Sequence, residues 1–500
     1  MKLTELIALG GAPATPTAAS ADPEIAGLTC DSRSVGPAFL FAALSGTKQD
    51  GRRYAADAIG RGAVAILTDD PDALALSPEQ CSRVCVVTDP NPHRRLALLA
   101  AHFYGRQPTT IAAVTGTNGK TSVVHFTREI WTALGQPAAS LGTLGLISAA
   151  QHWPGALTTP DPVALHRDLA ALAEQGFEHV ALEASSHGLC QFRLDGVTVA
   201  AAAFTNLTRD HLDYHGDMAQ YRAAKERLFT ELLAPAATAV LNRDSVEFQR
   251  LQPLCRDGGH PVISYGVIGA ADLRLLACEP TSGGQRLLLE ILGQRRELRL
   301  PLLGEFQAMN ALAALGLVIA TGGPVGAATA ALADLTAVPG RMQFVAGDAE
   351  TGAVLVDYAH TPDALATVLA ALRPHARGQL AVVFGCGGDR DAGKRPMMGE
   401  VAIRLADRVY VTDDNPRTEP PADIRRAILR AAPGAIEIGD RLEAITTAIA
   451  ELSAGDLLVI AGKGHETGQI IGAETCPFDD AAIAREIAGR RQATSARRVA

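Results

Sequence analysis

A glycine-rich segment, Thr115-Gly116-Thr117-Asn118-Gly119-Lys120-Thr121-Ser122, gives the strongest indication of the fold. It follows the short apolar run 111–114, which is typical of a buried strand, and it precedes an amphipathic stretch typical of a helix. Glycines let the backbone N–H groups of such a loop point at an anion, and the helix N-terminus adds its dipole. The alternative is a glycine-rich turn before a helix, but the order of strand, glycines, lysine and hydroxyls favours a phosphate-binding loop.

The residue types in this loop predict how a nucleoside triphosphate is bound. Lys120 can reach the β- and γ-phosphates, and the hydroxyl of Thr121 can ligate Mg²⁺. The spacing Gly-x-x-Gly-Lys-Thr is shorter than the common Gly-x-x-x-x-Gly-Lys-Ser/Thr pattern. We therefore predict an ATP-binding loop made of Gly116, Thr117, Asn118, Gly119, Lys120, Thr121 and Ser122.

Strand and helix patterns alternate on both sides of the loop, which predicts an α/β protein with mostly parallel sheets. A chain of 500 residues is too long for one core. We expect three domains: residues 1–90, a small N-terminal α/β domain; residues 91–337, a central P-loop-type ATPase domain; and residues 338–500, a Rossmann-like α/β domain. The boundaries are predicted at the turn signal 89–92 and at the glycine-rich stretch that begins at Val338.

The amino-acid composition argues against several classes of protein. A net charge of −9 argues against a general nucleic-acid binder. The eight cysteines are scattered without a Cys-x-x-Cys pair, which argues against a disulfide framework or zinc knuckle. We see no secretory signal and no apolar run of about 20 residues, so no membrane insertion is expected. These features predict a cytoplasmic protein.

A second cluster of polar residues follows the strand patterns 180–182 and 200–204. Glu183 comes directly after the first, and Asp210, His211, Asp213 and His215 crowd one loop after the second. Carboxylate and imidazole groups near Lys120 could hold Mg²⁺, which would offset the repulsion between a carboxylate and a triphosphate. A single Glu or His is more often a satisfied surface residue, but the crowding favours a metal site at Glu183 and His211.

The shortened loop and this cluster resemble the Mur ligases and their folylpolyglutamate synthase relatives, which activate a carboxylate as an acyl phosphate that an amine then attacks. The resemblance covers about residues 25–485. It implies two Mg²⁺ sites, with Thr121, Glu183, His211 and Lys225 as metal-site residues. It also implies a CO₂-derived carbamate on Lys225. The implied catalytic residues are Lys120, Glu183, His211 and Lys225.

The same resemblance implies further substrate contacts. For each of the residues named below, considered alone, a role in helix capping or in a loop hydrogen bond is the alternative. The implied ATP contacts outside the loop are Asn242, Asn310, Arg341, Asp357 and His360. The implied contacts to a UDP-linked muramoyl dipeptide are Thr29, Asp31, Ser32, Thr158, Thr159, Ser185, Gln191 and Arg193.

The last third of the chain predicts which amine is added. Asp414-Asn415-Pro416-Arg417 resembles the diaminopimelate-adding form of the family. Diaminopimelate differs from lysine by a second carboxylate at the far end, and an arginine fork suits a carboxylate. The implied diaminopimelate-binding residues are Arg390, Asp414, Asn415, Arg417, Gly462 and Glu466.

Together these features predict an ATP-dependent amide-bond ligase of peptidoglycan precursor synthesis. Its expected partners are ATP, meso-diaminopimelate and UDP-N-acetylmuramoyl-L-alanyl-D-glutamate, and a monomer is expected. Two alternatives remain open at this point. One is a ligase of the same superfamily that adds lysine, or adds glutamate to folate. The other is a non-catalytic nucleotide-binding protein on the same scaffold.

Overall fold

Three sheets follow one another along the chain and organise the molecule. In the computed structural model, the described residues are 1–9, 15–16, 22–46, 49–149, 151–155, 157–281, 283–348 and 351–499. Within these ranges the strands form sheets of five, eleven and six strands and one two-stranded hairpin. The predicted α/β class, with mostly parallel sheets in three regions, is confirmed.

The first sheet has the strand order β1-β5-β4-β3-β2, and only β1 pairs antiparallel. Its strands are β1 (Thr15–Pro16), β2 (Gly27–Thr29), β3 (Phe39–Ala42), β4 (Ala63–Thr68) and β5 (Cys85–Thr88). Its helices are α1 (Leu3–Leu9), α2 (Ala55–Gly60), α3 (Pro78–Arg83) and α4 (Pro92–Tyr104).

Helix α4 belongs to the core of this first sheet. Leu96, Leu99 and Ala100 are fully buried there, and the side chain of Asn91 caps the helix by accepting from the N–H of Arg94. Stretch 89–92, which we predicted as a boundary turn, is thus the start of a helix, because Asn and Pro are also helix-initiating residues. The core of the first sheet therefore includes α4 as far as Tyr104.

The central sheet has the order β16-β15-β14-β13-β12-β11-β6-β10-β7-β8-β9 and is parallel from β7 to β14. Its strands are β6 (Thr110–Thr115), β7 (Ala138–Gly142), β8 (Gly145–Ser148), β9 (His152–Trp153), β10 (His179–Glu183), β11 (Val199–Phe204), β12 (Leu233–Asn242), β13 (Val262–Gly266), β14 (Leu273–Thr281), β15 (Gly284–Ile291) and β16 (Gln294–Leu300). Its helices are α5 (Lys120–Ala133), α6 (Pro162–Glu174), α7 (Ser186–Cys190), α8 (Leu212–His215), α9 (Met218–Arg227), α10 (Phe248–Asp257), α11 (Glu305–Ala320) and α12 (Val325–Ala330).

The register of the central strands positions the phosphate loop. Helices α5 and α11 pack on one face of the sheet and α6 and α10 on the other. Glu183 at the end of β10 pairs with Val114 of β6, and Phe204 at the end of β11 pairs with Thr115. The carboxyl ends of three neighbouring strands therefore meet at one edge, where ligands of open parallel sheets bind.

The third sheet has the order β17-β18-β22-β19-β20-β21, and only β17 pairs antiparallel. Its strands, with the hairpin β23–β24, are β17 (Gln343–Asp348), β18 (Gly352–Asp357), β19 (Leu380–Phe384), β20 (Arg408–Val411), β21 (Ile436–Glu437), β22 (Leu457–Ala461), β23 (Gly468–Ile471) and β24 (Glu474–Pro477). Its helices are α13 (Pro362–Leu372), α14 (Lys394–Leu405), α15 (Pro421–Leu429), α16 (Arg441–Ala450) and α17 (Asp480–Val499). None of the helices in the described ranges has the length and apolar character needed to cross a membrane.

Candidate active site

The phosphate loop connects β6 to α5 and takes backbone conformations that favour glycine. Gly116 and Gly119 have φ angles of 143° and 88°. A Cβ atom at Gly116 would lie 1.9 Å from Oγ1 of Thr205, and one at Gly119 would lie 2.5 Å from Oδ1 of Asn310. The loop therefore packs against the residue after β11 and against α11 with no room for a side chain.

Residues just after β11 hold the loop in place. The N–H of Asn118 donates to Oδ1 of Asn206 at 2.9 Å, and the hydroxyl of Thr205 donates to the carbonyl of Asn118 at 2.6 Å. The ammonium of Lys120 donates to the carbonyls of Gly116 and Thr117 at 3.0 and 2.8 Å. Burial lowers the pKa of Lys120, and the carboxylate of Glu183 opposes that shift. The lysine thus lies inside the cradle in which a phosphate would be bound.

Glu183 is buried at the end of β10, with its carboxylate facing the loop. Oε1 accepts from the N–H of Thr143 at 2.8 Å, and Oε2 accepts from the Thr143 hydroxyl at 3.2 Å. The Thr143 hydroxyl lies 3.0 Å from that of Thr158. Glu183 is therefore fixed between the phosphate loop and a residue that we predicted to contact the muramoyl dipeptide.

His211 lies at the end of the loop that connects β11 to α8. It lies seven residues after Phe204, the last residue of β11, and has a φ of 52° at the start of α8. Its ring lies 4.8 Å from that of His187, and Nε2 lies 3.3 Å from the carboxylate of Asp210. Burial lowers the pKa of His211, and Asp210 opposes the shift. A depressed pKa keeps the imidazole neutral, which is the form that binds metal.

Lys225 is fully buried on α9 and points at the phosphate loop. Its amine donates to the carbonyl of Gly116 at 2.8 Å and lies 4.5 Å from the centre of the Tyr221 ring. Burial lowers the pKa of Lys225 well below its usual value, and the nearby charge of Lys120 lowers it further. The chain therefore favours a neutral amine at this position, which is the form that reacts with CO₂.

The donor set around the loop fits Mg²⁺. No group of three or more His, Cys, Asp or Glu residues in the described part of the chain is arranged to hold a metal ion. Thr121, Glu183, His211 and Lys225 nevertheless line one cavity. Mg²⁺ keeps several waters and is commonly bound by one or two carboxylates together with substrate phosphates. The site suits a cation that binds along with ATP.

A cavity of about 580 Å³ brings the predicted nucleotide, metal and dipeptide residues together. It lies between the central sheet and the start of the third unit. The predicted residues that line it are Thr117, Asn118, Gly119, Lys120, Thr121, Ser122, Thr158, Thr159, Glu183, Ser185, Arg193, His211, Lys225, Asn310, Arg341, Asp357, His360 and Arg390. We call it the nucleotide cavity.

The third unit contributes a short loop to this cavity. Asp357 is buried at the end of β18, and its carboxylate accepts from the N–H groups of Met342 and Ala359 at 2.7 and 2.8 Å. Burial raises the pKa of Asp357, and the nearby Arg341 opposes the shift. Burial lowers the pKa of His360 to about 4, so this imidazole is neutral at physiological pH.

The predicted dipeptide residues of the central unit form a hydrogen-bonded chain. The hydroxyl of Thr159 lies 2.9 Å from that of Ser185 and donates to the Glu183 carbonyl at 2.7 Å. Arg193 donates to the Thr159 carbonyl at 2.6 Å and to Oε1 of Gln191 at 2.6 and 3.1 Å. The fork of Arg193 therefore already binds protein oxygens, whereas the sequence led us to expect it free for a substrate carboxylate.

A second cavity of about 500 Å³ is lined by all six predicted diaminopimelate residues. These are Arg390, Asp414, Asn415, Arg417, Gly462 and Glu466. Arg417 donates to the Gly388 carbonyl at 2.8 Å and has a φ of 52°. We call it the amine cavity. It shares six residues with the nucleotide cavity, namely His187, Asp210, His211, Tyr358, His360 and Arg390, so the two are continuous.

Some predicted residues lie outside both cavities. They are Gly116, Asn242, Gln191, Thr29, Asp31 and Ser32. The amide of Asn242 donates to the Thr205 carbonyl at 2.7 Å, which places it behind the phosphate loop. Asp31 pairs with Arg33 at 2.8 Å and caps the turn that follows. Burial raises the pKa of the neighbouring Cys30 to about 11.

Sequence reasoning missed several residues in the cleft. Tyr358 and His187 line both cavities, and the Tyr358 ring lies 4.3 Å from the guanidinium of Arg341. Lys463 lies behind the cleft rather than in it: it lines neither cavity, is fully buried, and donates to Asn415 and Glu466. In the sequence these residues are marked only by their position next to the motifs described above. That position does not show whether a residue lines the cavity or supports a residue that does.

Comparison with known proteins identifies the family. Three family models match in chain order: the Mur ligase family catalytic domain over residues 24–104, the Mur ligase middle domain over 114–318, and the Mur ligase glutamate ligase domain over 340–464. The chain belongs to the Mur ligase family. Members of this family are ATP-dependent amide-bond ligases, so the predicted enzyme class is confirmed.

Individual Mur ligases match nearly the whole chain. The UDP-N-acetylmuramoyl-L-alanyl-D-glutamate–2,6-diaminopimelate ligase of Mesorhizobium japonicum is 52% identical over 480 residues, which cover 96% of this chain and 97% of that protein. A solved structure of a ligase with that name is 34% identical, has a TM-score of 0.67, and covers 94% of this chain and 95% of its own. The ADP complex of the MurF ligase of Thermotoga maritima shares the fold at 18% identity, with a TM-score of 0.63 and coverage of 95% and 98%.

Proposed function

We propose that this chain joins meso-2,6-diaminopimelate to UDP-N-acetylmuramoyl-L-alanyl-D-glutamate with hydrolysis of ATP, a step of peptidoglycan precursor synthesis. The observation that carries the proposal is the continuity of the nucleotide cavity with a cavity that holds Arg390 and Arg417. Relatives about 50% identical over nearly their full length are named as ligases of this reaction, which supports the same substrates here.

The reaction needs a carboxylate, a triphosphate and an amine at one point. The γ-carboxylate of D-glutamate attacks the γ-phosphorus of ATP, giving an acyl phosphate and ADP. The neutral amine of diaminopimelate then attacks the acyl carbon, and phosphate leaves from the tetrahedral intermediate. Lys120 stabilises charge on the transferred phosphoryl group. Closure of the third unit, which carries Asp357 and His360, keeps water from the acyl phosphate.

Mg²⁺ would be held by Thr121, Glu183, His211 and a carbamate on Lys225, at two sites. When bound, it supplies positive charge between the phosphates and the substrate carboxylate. The burial of the Lys225 amine lowers its pKa, which supports the carbamate because CO₂ reacts with an unprotonated amine.

The remaining assignments extend the same proposal. Thr29, Asp31 and Ser32 would bind the uridine end, and Arg193 would orient the dipeptide. Domain boundaries after Tyr104 and near Val338 fit the cores and the matched regions. We place the reaction in the cytoplasm, where ATP is supplied, and treat the chain as a monomer.

An amino-acid panel tests this function. Purified protein with ATP, Mg²⁺ and the UDP-muramoyl dipeptide should release phosphate when diaminopimelate is added, and much more slowly with lysine. The measurement is the rate of phosphate release, with mass spectrometry of the product. Omission of the dipeptide is the control. Equal turnover with lysine would overturn the amine specificity, and no turnover with either amine would overturn the ligase reaction.

A further inference from the structure

Beneath the amine cavity lies a fully buried ammonium that no substrate can reach. Lys463 follows β22 and is 0% exposed. Its amine donates to Oδ1 of Asn415 at 3.0 Å, to Oε2 of Glu466 at 3.1 Å and to the carbonyl of Gly468. An ammonium has three N–H donors, and these three acceptors use all of them. Lys463 therefore has no donor left for a substrate.

The ammonium determines how the Asn415 side chain is oriented. Oδ1 of Asn415 accepts from Lys463 and also from the N–H of Ile470 at 2.9 Å. Both partners are donors only, so the oxygen of the amide has to face them. The nitrogen then faces Glu466, to whose Oε2 it donates at 2.9 Å. One N–H of the Asn415 amide remains for a ligand.

Glu466 is held in the same way. Its Oε2 accepts from both Lys463 and Asn415. Among the described residues, none donates to its Oε1, and Glu466 lines the amine cavity. The buried lysine thus leaves one N–H donor and one carboxylate oxygen free side by side. An amino-acid end group carries a carboxylate and an ammonium, which are the complementary groups.

We propose that Lys463 is a positioning residue that sets Asn415 and Glu466 for the distal amino-acid end of the amine substrate. This inference rests on the proposed function, since it assigns a role within the same cavity. Without Lys463, the Asn415 oxygen loses one of its two donors, and Glu466 loses its ion-pair partner in the described part of the chain. The Glu466 side chain, which is 34% exposed, is then held only by the Asn415 amide and can turn toward solvent.

The test is Lys463→Met, which keeps the length of the side chain and removes its charge. The KM for diaminopimelate should rise at least tenfold, with the KM values for ATP and the UDP-muramoyl dipeptide within twofold of wild type. Arg491→Met is the matched control, because Arg491 also donates to main-chain carbonyls of this unit, at 2.8 Å to Ile449, but lines neither cavity. Parallel changes in all three KM values, or an unchanged KM for diaminopimelate, would overturn the assignment.

Two further measurements distinguish a failure of the positioning role from a failure of the proposed function and from a loss of folding. If Lys463→Met does not fold, Lys463→Gln retains an N–H donor and should give a smaller rise in the same KM. If the wild-type chain does not use diaminopimelate, the proposed function fails, and the positioning role is judged from a crystal structure of Lys463→Met. Displaced Asn415 and Glu466 side chains would support it, and unmoved side chains would refute it.

Discussion

Three lysines at the cleft have different chemistry because their neighbours differ. Lys120 donates to carbonyls of its own loop, and burial lowers its pKa while a carboxylate opposes the shift. Lys225 lies deeper, next to Lys120, and its pKa is lowered further below the usual value. Lys463 is equally buried but has Glu466 beside it. Burial favours the neutral form of an amine, and a nearby carboxylate favours the charged form.

The lowered pKa of Lys225 leads to a prediction about CO₂. Activity should fall when CO₂ is removed from the buffer and recover when bicarbonate is added. The requirement should become stronger as the pH falls through the lowered pKa of Lys225, because protonation removes the amine that reacts with CO₂. The measurement is the initial rate of phosphate release across pH, with and without bicarbonate.

Lys225→Gln is the control for this experiment. It should lose about 10–100-fold in rate, as expected for a residue that supports a metal site, and should not respond to bicarbonate. A wild-type rate that is independent of bicarbonate at every pH would count against the carbamate.

Arg417 should determine affinity for the amine. Arg417→Ala should raise the KM for diaminopimelate about 10–100-fold, because a hydrogen bond to a charged group contributes roughly 1.5–3 kcal/mol. The KM for ATP should be unchanged. Arg404→Ala is the control, since Arg404 is an exposed arginine on α14 that lines neither cavity. A similar rise in both KM values for Arg417→Ala would exclude the assigned role.

At the level of elements, each predicted motif occupies the carboxyl end of a parallel strand. The phosphate loop follows β6, Glu183 ends β10, and Asp414 lies just after β20. Strands β19 and β22 coincide with the continuous apolar runs 380–384 and 457–461 of the sequence. Continuous apolar runs of this length are typical of strands buried on both faces, so their positions could be predicted accurately.

The phosphate loop gives a prediction at this level. Gly116→Ala should lower the melting temperature and abolish the stabilisation given by ADP and Mg²⁺, because the new Cβ would meet Thr205 at 1.9 Å. The measurement is thermal unfolding with and without nucleotide. Gly135→Ala is a matched control, since Gly135 also has a positive φ, of 76°, but its Cβ would have nothing within 4 Å.

Comparing the two variants distinguishes the cost of backbone strain at a positive φ from the cost of the steric clash with Thr205. Gly135→Ala should cost only about 1–2 kcal/mol of left-handed strain and should keep its nucleotide response. If Gly116→Ala were no worse than Gly135→Ala, the close approach of the loop to β11 would not be important for binding.

At the level of the whole molecule, the cleft is built from two units that each contribute half of it. Of the contacts between them, Arg209 and Asp391 form an exposed ion pair at 3.9 Å. Exposed pairs of this kind contribute about 0–1 kcal/mol. This pair alone is too weak to hold the cleft closed. Leu303 and Phe306 also pack against the core of the third unit, and we expect bound nucleotide to strengthen this arrangement further.

Hydrogen exchange can detect that closure. ADP with Mg²⁺ should slow exchange in the phosphate loop and also in segment 357–360, which belongs to the third unit and lines the nucleotide cavity. Exchange in α10 should not change, because it lies in the core on the other face of the central sheet. Protection of the phosphate loop alone would mean that the third unit does not close on the nucleotide.

Local structure could be predicted from the sequence, because it is formed by residues that are neighbours in the chain. The glycines, Lys120 and Thr121 had to follow a strand and begin a helix, and the Asp-Asn-Pro-Arg turn had to follow another strand. A glycine loop or a proline turn depends on φ preferences that each residue carries with it. The nature of the ligand site followed from this local chemistry.

Convergence in space depends on contacts between residues far apart in the chain. Only the folded chain places Lys120 and Arg417 on continuous cavities, packs α4 on the first sheet, and surrounds Lys463 with three acceptors. Strand order and the packing of one unit against another produce these neighbours, and no local pattern encodes them. The sequence around a lysine in a glycine-rich turn therefore does not show whether the lysine binds substrate or, like Lys463, orients the residues that bind it.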